Sequence, residues 1–516
     1  MPWVVSARSP QALRDQALRL RDFAGDASRA PLADVGWSLL KTRALHEHRA
    51  VVVGAERAEL IAGLEALAAG EPHAALIGPS NSQARMGGDD VVWLFSGQGS
   101  QLVGMGAGLY ERFPVFAAVF DEVCGLLEGP LGVEAGELRE VVFRGPQERL
   151  DHTMWAQAGL FALQVALARL WESVGVRPDV VVGHSIGEIA AAHVAGVFDL
   201  ADACRVVGAR ARLMGELPEG GAMCAVQATP AELATDLDGT GVSVATVNTP
   251  DSTVISGPSD EVDRIAGLWR ERGRKTKALS VSHAFHSALM EPMLAEFTEA
   301  IRGVKFAQPS IPLMSNVSGE RAGEEITDPE YWARHVRQTV LFQPAIAHVA
   351  ESAGVFVELG PAPVLTTAAQ HTLDESDSQE AVLVASLSGE RCEESAFVEA
   401  MARLHVAGVG VDWSVWFASE SVPGVVELPT YAFQRERFWL SGRSGSGDAA
   451  TLGLVAAGHP LLGAAVEFAD RGGCLLTGRL TRSGAPWLAD HVVAGSVLVP
   501  GAALVEWALR AGDEVG

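Results

Sequence analysis

The sequence predicts an α/β protein built on a parallel sheet, and three observations support that fold class. Residues 91–95 (VVWLF) and 180–183 (VVVG) are short apolar runs, typical of strands that are buried on both faces. Strands alternate with helices from residue 91 to about residue 216, which is typical of a parallel sheet. Residues 220–281 then change to a β-α-β-β-α-β pattern. We therefore expect a large α/β unit with a smaller unit inserted into it.

The inserted unit has the element order of the ferredoxin-like split motif. We predict its elements as a strand at 222–227, a helix at 230–236, strands at 242–247 and 253–256, a helix at 260–272 and a strand at 277–281. The larger unit resumes near His286 and continues to about residue 390. Residues 183–187 match the nucleophile turn of α/β-hydrolases, so we expect the large subdomain to be α/β-hydrolase-like. The β-α-β-β-α-β order predicts a ferredoxin-like small subdomain.

The chain divides into five predicted segments. Their boundaries are 1–90, 91–390, 391–440, 441–454 and 455–516. The first is a small α/β domain with strands at 3–6 and 48–53, helices at 10–24 and 55–69, and a Gly/Ser/Asn-rich connector at 78–89. The third contains a helix at 394–406, and the fourth is a flexible linker by its Gly/Ser composition. The fifth has a β-rich start followed by a helix.

Composition and charge narrow the classes of function. The length of 516 residues suggests about three or four domains, and 48% hydrophobic with 20% charged residues fits folded globular domains. The formal net charge of −25 argues against a nucleic-acid or anionic-membrane partner, because the net field repels phosphate. The five cysteines have no CxxC spacing, and the N-terminus has no signal-peptide pattern. We therefore expect a cytoplasmic protein without disulfides or a metal site.

The segment Gly183–Glu188 (GHSIGE) carries the strongest chemical signal. An apolar strand, a tight turn with Ser185 at its apex and an immediate helix form the G-x-S-x-G nucleophile elbow. Glycine on both sides permits the sharp turn, and the helix aims free N–H groups at an oxyanion formed there. The pattern predicts acyl chemistry on Ser185. It leaves open whether water, a thiol or an alcohol receives the acyl group.

A nucleophilic serine needs a base, and the best downstream candidate is His286 in the motif HAFH (283–286). This histidine stands where the small unit returns to the large one, so we expect it at a cleft between the two. A neutral imidazole there could take the serine proton. The alternative is an interface histidine with a purely structural role.

Four motifs in order make the pattern more specific. They are SGQGSQ (96–101), GHSIGE (183–188), HAFH (283–286) and VELGP (357–361). Together they resemble the acyltransferase domain of modular type I polyketide synthases, and the free-standing malonyl-CoA:acyl-carrier-protein transacylases are more distantly similar. The opening PWVVSARS resembles the ketosynthase-to-acyltransferase linker. YAFQRERFW (431–439) resembles the end of the post-acyltransferase linker, which folds back against the other linker.

The resemblance implies roles for individual residues. Ser185 would be the nucleophile and His286 the base, with the main-chain N–H groups of Gln98 and Ile186 as the oxyanion hole. Glycines beside Gln98 independently favour close approach of its backbone to a ligand. In the family a main-chain carbonyl rather than a carboxylate orients the base, and the matching position here is Gln338.

Substrate-binding residues follow from the same resemblance. Arg210 would pair with the free carboxylate of an extender unit, a role that suits a guanidinium fork, and Gln157 would position it. A solvent-facing helical arginine is the alternative, and neighbouring Arg212 has the same pattern. The family carries HAFH, with His283 and Phe285, for malonyl and a YASH-type motif for methylmalonyl. Phe285 would fill the space of an α-methyl group, so we expect a preference for malonyl.

A basic cluster precedes HAFH in this acidic chain. It comprises Arg270, Arg272, Arg274, Lys275 and Lys277. One interpretation is contact with coenzyme A phosphates or an acidic carrier protein. The other is a solvated helix end whose charges complement the helix dipole.

Residues 491–500 (HVVAGSVLVP) match the HxxxGxxxxP motif that opens a polyketide dehydratase domain, and residues 458–462 resemble that domain's start. The family fold is a double hot-dog whose second half supplies an aspartate. We expect 455–516 to be a truncated hot-dog segment in which His491 is a base without its partner, and no dehydration by this polypeptide alone.

The expected function is a ping-pong acyltransferase that takes malonyl from malonyl-CoA and passes it to the phosphopantetheine thiol of an acyl carrier protein. Coenzyme A is then a substrate, and no cofactor is expected to be bound by the chain. Expected partners are the carrier protein and neighbouring ketosynthase and dehydratase domains, and we expect a monomer. A serine hydrolase or thioesterase with the same elbow, or a non-enzymatic docking segment of a megasynthase, are the alternatives.

Overall fold

The computed structural model describes most of the chain in two compact units, Met1–Gln434 and Arg435–Gly516. The described residues are 1–26, 30–79, 90–218, 220–375, 381–389, 391–418, 423–436, 448–470 and 472–515. The predicted linker at 441–447, most of the connector at 78–89 and the last residues of the YAFQRERFW motif lie outside them. Among the described residues no helix is long and apolar enough to cross a membrane.

The first unit begins with a three-stranded antiparallel sheet. Its elements are β1 (Pro2–Ala7), α1 (Pro10–Gly25), α2 (Leu32–Thr42), β2 (His48–Val53), α3 (Arg57–Ala69) and β3 (Leu76–Ile77), with the strands in the order β1-β2-β3. Ser9 caps α1 by accepting the Ala12 N–H. A capping box between Glu56 and Glu59 starts α3 two residues later than the sequence predicts.

The sequence does not predict α2. Its segment contains Gly36 and has no side-chain cap at its start, so the local signal is weak. Tertiary contacts form the helix instead: Val35 and Leu39 are buried against the sheet, and the Trp3 indole donates to Leu32 O at 3.0 Å.

A parallel sheet forms the centre of the first unit. Its first part comprises β4 (Asp90–Phe95), α4 (Ala107–Arg112), α5 (Pro114–Leu131), α6 (Glu137–Arg144), α7 (Gln147–Asp151), α8 (Thr153–Ser173), β5 (Val180–Gly183), α9 (Gly187–Val194) and α10 (Leu200–Gly215). Five helices follow β4 before β5 in the described stretch 90–218, so strict alternation of strands and helices is wrong there. Helix α8 packs against α5, α9 and α10, which explains its nearly continuous apolar sequence.

A four-stranded antiparallel sheet follows. Its elements are β6 (Ala222–Val226), α11 (Pro230–Leu237), β7 (Ser243–Thr249), β8 (Ser252–Gly257), α12 (Ser259–Glu271) and β9 (Thr276–Ala278), with strand order β7-β8-β6-β9. The elements succeed one another in the order that the sequence predicts. Strand β9 ends earlier than the predicted strand at 277–281, because the Leu279 N–H makes a last bond to Met223 O and a tight turn brings Val281 N to Leu279 O.

The chain then returns to the parallel sheet. The remaining elements are α13 (Glu291–Ile301), β10 (Leu313–Met314), α14 (Pro329–Arg337), α15 (Phe342–Val349), β11 (Ala353–Leu359), α16 (Leu365–Asp374), β12 (Val382–Ala385) and α17 (Glu393–Val406). The sheet order is β10-β5-β4-β11-β12, with every pair parallel. Strand β5 is therefore an interior strand between β10 and the central β4, and its carboxyl end opens at the same sheet edge as that of β4, where α/β proteins place ligands.

Residues 423–434 fold back against the N-terminal sheet. Leu428 is buried in the same apolar cluster as Trp3. Arg43 donates to Leu428 O at 3.1 Å and to Pro429 O at 2.8 Å, and the Tyr431 hydroxyl accepts the Arg8 N–H at 2.9 Å.

In the residues that the structure describes, the second unit holds two small antiparallel sheets and one α-helix. Its elements are β13 (Val455–Ala456), β14 (Ala464–Glu467), β15 (Cys474–Thr477), β16 (Val492–Val493), β17 (Ser496–Val497) and α18 (Gly501–Val515). Strands β13-β14-β15 form one sheet and β16-β17 the other.

Glu393 provides a test of how the start of α17 is fixed to the start of α4. Its carboxylate accepts the N–H groups of Gly106 at 2.6 Å, Gly108 at 2.8 Å and Leu109 at 3.3 Å at the start of α4. Glu393→Ala leaves these donors unpaired and is expected to lower the free energy of unfolding by about 1–3 kcal/mol. Urea denaturation measures this, with Glu394→Ala as the neighbouring control. Equal midpoints for the two variants would contradict the expectation.

Candidate active site

The turn between β5 and α9 places Ser185 at the carboxyl end of an interior strand of the parallel sheet. Ser185 has a φ of 51°, in the left-handed region that L-residues rarely adopt. A Cβ at Gly183 would lie 2.2 Å from the Glu188 backbone, and one at Gly187 would lie 2.2 Å from Phe95 O. Only glycine fits at either position, so the G-x-S-x-G spacing follows from the packing of this turn.

His286 lies next to the serine hydroxyl. Its Nε2 is 2.8 Å from Ser185 Oγ, and its Nδ1 is 2.9 Å from Gln338 O. A carbonyl only accepts hydrogen bonds, so Nδ1 carries the proton and Nε2 is free to accept the serine proton. The pKa of His286 is lowered to about 3, mainly by burial and in addition by the nearby Arg210 charge and by His184. The imidazole is therefore neutral in the folded protein.

The partner that orients His286 is a main-chain carbonyl. In the part of the chain that the structure describes, no carboxylate is hydrogen-bonded to this imidazole. A carbonyl fixes the ring and its tautomer but adds no negative charge to balance an imidazolium. This arrangement supports proton transfer with less stabilisation of the charged base than a Ser-His-Asp triad provides.

Arg210 reaches the same cavity from α10. Its side chain is buried, with Nη1 2.6 Å from Gln157 Oε1 and Nη2 3.2 Å from Ser185 Oγ. Burial lowers its pKa to about 9, so it remains charged at neutral pH. Among the described residues it has no carboxylate partner, and its Nε has no hydrogen-bond partner. Arg212, by contrast, pairs with Glu216 at 3.0 Å near the surface.

Two main-chain donors flank the nucleophile. Ile186 begins the helical turn after Ser185, and Gln98 lies in the loop after β4 that lines the cleft. Within the described residues, neither main-chain N–H donates to another protein group. The Gln98 side chain accepts a long bond from Gln157 Nε2 at 3.4 Å. Two free N–H groups beside a serine hydroxyl form a site that can accept an oxyanion.

The HAFH motif divides between the cleft and the structure behind it. Phe285 is almost fully buried and lines the cleft beside His286. His283 does not line it: its Nδ1 lies 3.2 Å from Thr153 Oγ1 and its Nε2 3.0 Å from Leu217 O. These contacts tie the motif to the start of α8 and to the segment that follows α10.

The cleft lies between the parallel sheet and the antiparallel sheet, with a volume of about 530 Å³. Gln98 and Ser185 line it from one side, and Met223, Thr246 and Val254 from the other. A larger cavity of about 960 Å³ lies elsewhere, between the N-terminal sheet and residues 405–433. We assign the site to the smaller cleft because the serine, histidine and arginine converge there.

Sequence reasoning missed Asn316 and gave no role to Glu188. Asn316 Oδ1 accepts the Ser185 N–H at 2.7 Å, and Glu188 accepts the Asn316 N–H at 2.7 Å. Asn316 follows β10, whose two residues are too short to give a strand pattern. The sequence signal that could have identified Asn316 was its position just after the apolar pair Leu313–Met314, where a strand could end.

A family model described as an acyl transferase domain matches residues 92–411. The crystal structure of the acyltransferase domain from the second module of the salinomycin polyketide synthase is 47% identical and has a TM-score of 0.68, covering 84% of this chain and 99% of that one. The chain belongs to the polyketide synthase acyltransferases. Further models match on either side, described as CurL-like, PKS C-terminal (residues 3–64) and as a polyketide synthase dehydratase domain (residues 459–516).

Curated relatives of this acyltransferase are much longer proteins. Polyketide synthase GfsB of Streptomyces halstedii is 51% identical over the whole chain, which spans 9% of its length. Mycoketide-CoA synthase of Mycobacterium tuberculosis is 45% identical, and the chain spans 12% of it. The malonyl CoA-acyl carrier protein transacylase of Coxiella burnetii is 29% identical with a TM-score of 0.54, over 61% of this chain and 98% of that one.

The basic cluster on the acyltransferase is only partly available to a ligand. Arg272 pairs with Asp236 at 2.6 Å and Arg274 with Glu232 at 2.8 Å. Lys277 lines the catalytic cleft and also a neighbouring open cavity of about 620 Å³. The helix-end interpretation fits Arg272, and the ligand interpretation stays open for Lys277.

His491 lies in the second unit and is exposed. Its Nδ1 lies 3.0 Å from Leu498 O. In the described part of the chain, it has no carboxylate within ion-pair distance. The structure therefore brings His491 to no catalytic partner.

The neutral state of His286 leads to a pH prediction. Its base form is lost only as pH falls through a folded-state pKa of about 3. The rate of Ser185 labelling by a fluorophosphonate should therefore stay nearly constant from pH 8 to pH 5. The unfolded histidine gains its proton near pH 6.5, so stability falls as pH drops below that value, and folding must be checked at each pH.

The control is Ser185→Ala, which should take up no label at any pH in this range. An ordinary histidine base would lose about tenfold in rate per pH unit below its pKa. A fall in the wild-type rate with an apparent pKa near the ordinary 6.5 would contradict the assignment.

Proposed function

We propose that this acyltransferase moves a malonyl group from malonyl-CoA to the phosphopantetheine thiol of an acyl carrier protein, with Ser185 carrying it in between. The main support is Arg210, a buried guanidinium 3.2 Å from the nucleophile with no carboxylate partner among the described residues. A buried cation without a counter-ion is costly. An acyl group that carries its own carboxylate supplies the missing charge and accepts a forked pair of bonds.

In the first half-reaction, Ser185 Oγ attacks the thioester carbonyl carbon while His286 Nε2 takes the serine proton. As the carbonyl oxygen gains negative charge, it accepts hydrogen bonds from the main-chain N–H groups of Gln98 and Ile186. The carbon–sulfur bond then breaks, and the coenzyme A sulfur leaves with the proton from His286. The product is a malonyl ester on Ser185.

In the second half-reaction, His286 takes the proton of the carrier-protein thiol, and the sulfur attacks the malonyl ester. The Ser185 oxygen leaves and regains its proton from His286, which restores the free enzyme. A thiol with a pKa near 8.5 needs less help from a base than water does. Orientation of His286 by the Gln338 carbonyl alone fits this easier deprotonation, and it leaves hydrolysis poorly catalysed.

The same proposal includes the finer architecture. The parallel sheet is the α/β-hydrolase-like subdomain, and the strand order β7-β8-β6-β9 supports a ferredoxin-like small subdomain. Residues 1–90 and 391–440 are the linkers before and after the catalytic domain, and 455–516 is the dehydratase segment. Neighbouring ketosynthase and dehydratase domains are the proposed partners, while coenzyme A and phosphopantetheine enter as parts of substrates rather than as resident cofactors. A cytoplasmic location stays a prediction.

Intact-mass measurement after incubation with malonyl-CoA tests the intermediate. Wild type should gain one malonyl group, and Ser185→Ala should gain none. Arg210→Ala should slow malonyl labelling by about 10- to 100-fold, because a charge-assisted pair is lost, while labelling by acetyl-CoA changes far less. Arg212→Ala is the matched control and should behave like wild type.

Adding a carrier protein separates transfer from hydrolysis. We expect loss of the malonyl label from Ser185 to depend on the carrier and the same mass to arrive on its phosphopantetheine. Label lost at the same rate without a carrier would instead make the chain a thioesterase or serine hydrolase. Undiminished labelling of Ser185→Ala would reject the proposed nucleophile.

Phe285 provides the test of extender choice. Its buried ring lines the cleft beside His286, where we propose that it fills the space of an α-methyl group. Phe285→Ser should lower the ratio of the specificity for malonyl to that for methylmalonyl. The decrease should not exceed roughly 10- to 200-fold, which is the discrimination that one methyl group provides in an apolar pocket. Competition between the two thioesters measures the ratio, and Phe285→Leu is the control that keeps an apolar side chain. An unchanged ratio in Phe285→Ser would show that this ring does not exclude the methyl group.

A further inference from the structure

The side-chain amide of Asn316 bridges the two sides of the turn that carries Ser185. Asn316 Oδ1 accepts the Ser185 N–H at 2.7 Å, and Asn316 Nδ2 donates to Gly183 O at 2.7 Å. The two bonds span His184 and tie together the main chain on either side of it. Because one neighbour is a donor and the other an acceptor, the amide fits in one orientation only.

The turn needs such support because its backbone is strained. A non-glycine residue held at a φ of 51° costs about 1–3 kcal/mol, which the surroundings must offset. Asn316 is 1% exposed, so water does not compete for its two bonds. Losing the amide would leave a donor on Ser185 and an acceptor on Gly183 unpaired in the interior.

Asn316 is itself held by a buried carboxylate. Glu188, on the first turn of α9, accepts the Asn316 N–H at 2.7 Å through Oε2 and the Tyr331 hydroxyl through Oε1. Ser315 Oγ lies 2.7 Å from the same hydroxyl. The bonds form a closed ring that joins α9, the turn, the segment after β10 and α14.

Among the described residues, Glu188 has no charged partner. The nearest cationic candidate is His335 Nε2 at 3.6 Å, and burial holds the pKa of His335 well below its usual range. Burial also raises the pKa of Glu188 to about 7. The carboxyl therefore acts through its hydrogen bonds, and a neutral group of the same shape could make the bond to Asn316.

We propose that Asn316 is a positioning residue for the nucleophile and that Glu188 fixes Asn316 in place. Ser185 Oγ is bonded to other groups, so neither residue touches a reacting atom. Asn316 acts on the main chain of Ser185, which sets the distance from its Oγ to His286 and the direction of the Ile186 N–H. This inference rests on the proposed role of Ser185.

The test compares rates of Ser185 acylation at saturating malonyl-CoA. Asn316→Ala and the isosteric Asn316→Asp, which loses the donor to Gly183 O, should each reduce the rate by about 10- to 100-fold, because a small misplacement has a large kinetic effect. The KM should change little, since Arg210 is untouched. Glu188→Ala should also be slow, and Glu188→Gln should recover most of the loss because its amide oxygen still accepts the Asn316 N–H.

A control separates positioning from general stability. Ser386→Ala removes a buried hydroxyl that accepts the Trp171 indole N–H at 2.8 Å and donates to Glu358 O at 2.6 Å, away from the elbow. It should lower the melting temperature and leave the acylation rate unchanged. The proposal would be overturned by folded Asn316 variants that acylate at the wild-type rate, or in which only the KM for malonyl-CoA changes. Glu188→Gln as slow as Glu188→Ala would overturn the part played by Glu188.

A second readout keeps this inference separate from the proposed function. A fluorophosphonate reacts with Ser185 without coenzyme A and without a carboxylate for Arg210. If wild type takes no malonyl from malonyl-CoA, the proposed function fails. The ratio of fluorophosphonate rates between wild type and the Asn316 variants still decides whether Asn316 positions the serine: a ratio well above one supports it, and a ratio near one overturns it.

Discussion

The left-handed turn at Ser185 constrains every other part of the site. It is unfavourable for a serine by itself, and it leaves no space for a side chain at Gly183 or Gly187. The turn is kept because β5 is paired on both sides, by β4 and β10, and because α9 starts at once behind it. The energy that holds Ser185 in this turn therefore comes from burial of the sheet and its helices and from the two Asn316 hydrogen bonds, rather than from the side chains that line the cleft.

The same burial sets the electrostatics of the cleft. Arg210 and His286 are both buried at one cleft, where the guanidinium charge helps to keep the imidazole neutral. In the proposed reaction the carboxylate of the substrate neutralises Arg210 first. An imidazolium then forms more easily at His286, because the repelling charge is balanced. The substrate thus strengthens the base that acts on it, which an acyl group without a carboxylate would not do.

Local sequence patterns predicted the parts of the candidate site that are formed by a single turn. The spacing of Gly183, Ser185 and Gly187 follows from close contacts within a few residues, so it is visible in one segment, as is the element order of the small sheet. Contacts between residues that are far apart in the sequence produce weaker sequence patterns. Any residue type can supply the carbonyl of Gln338, so geometry rather than side-chain chemistry identifies it. Asn316 reaches the elbow from a two-residue strand, and α2 forms mainly through tertiary packing. The roles of all these residues stay predictions.

In the proposed reaction, the position of Phe285 beside His286 couples the choice of extender unit to the rate of acylation. Both residues lie on one tight turn, in which His286 has a φ of 56° and Ser287 Oγ donates to Ala284 O at 2.6 Å. The turn stands where the chain returns from the antiparallel sheet to the parallel one, so it supplies a wall of the cleft and the base together. A substitution that reshapes the wall also changes the packing that holds the imidazole 2.8 Å from Ser185 Oγ. If Phe285 sets the choice of extender unit, a wider choice therefore comes with slower acylation unless the replacement keeps the turn in place.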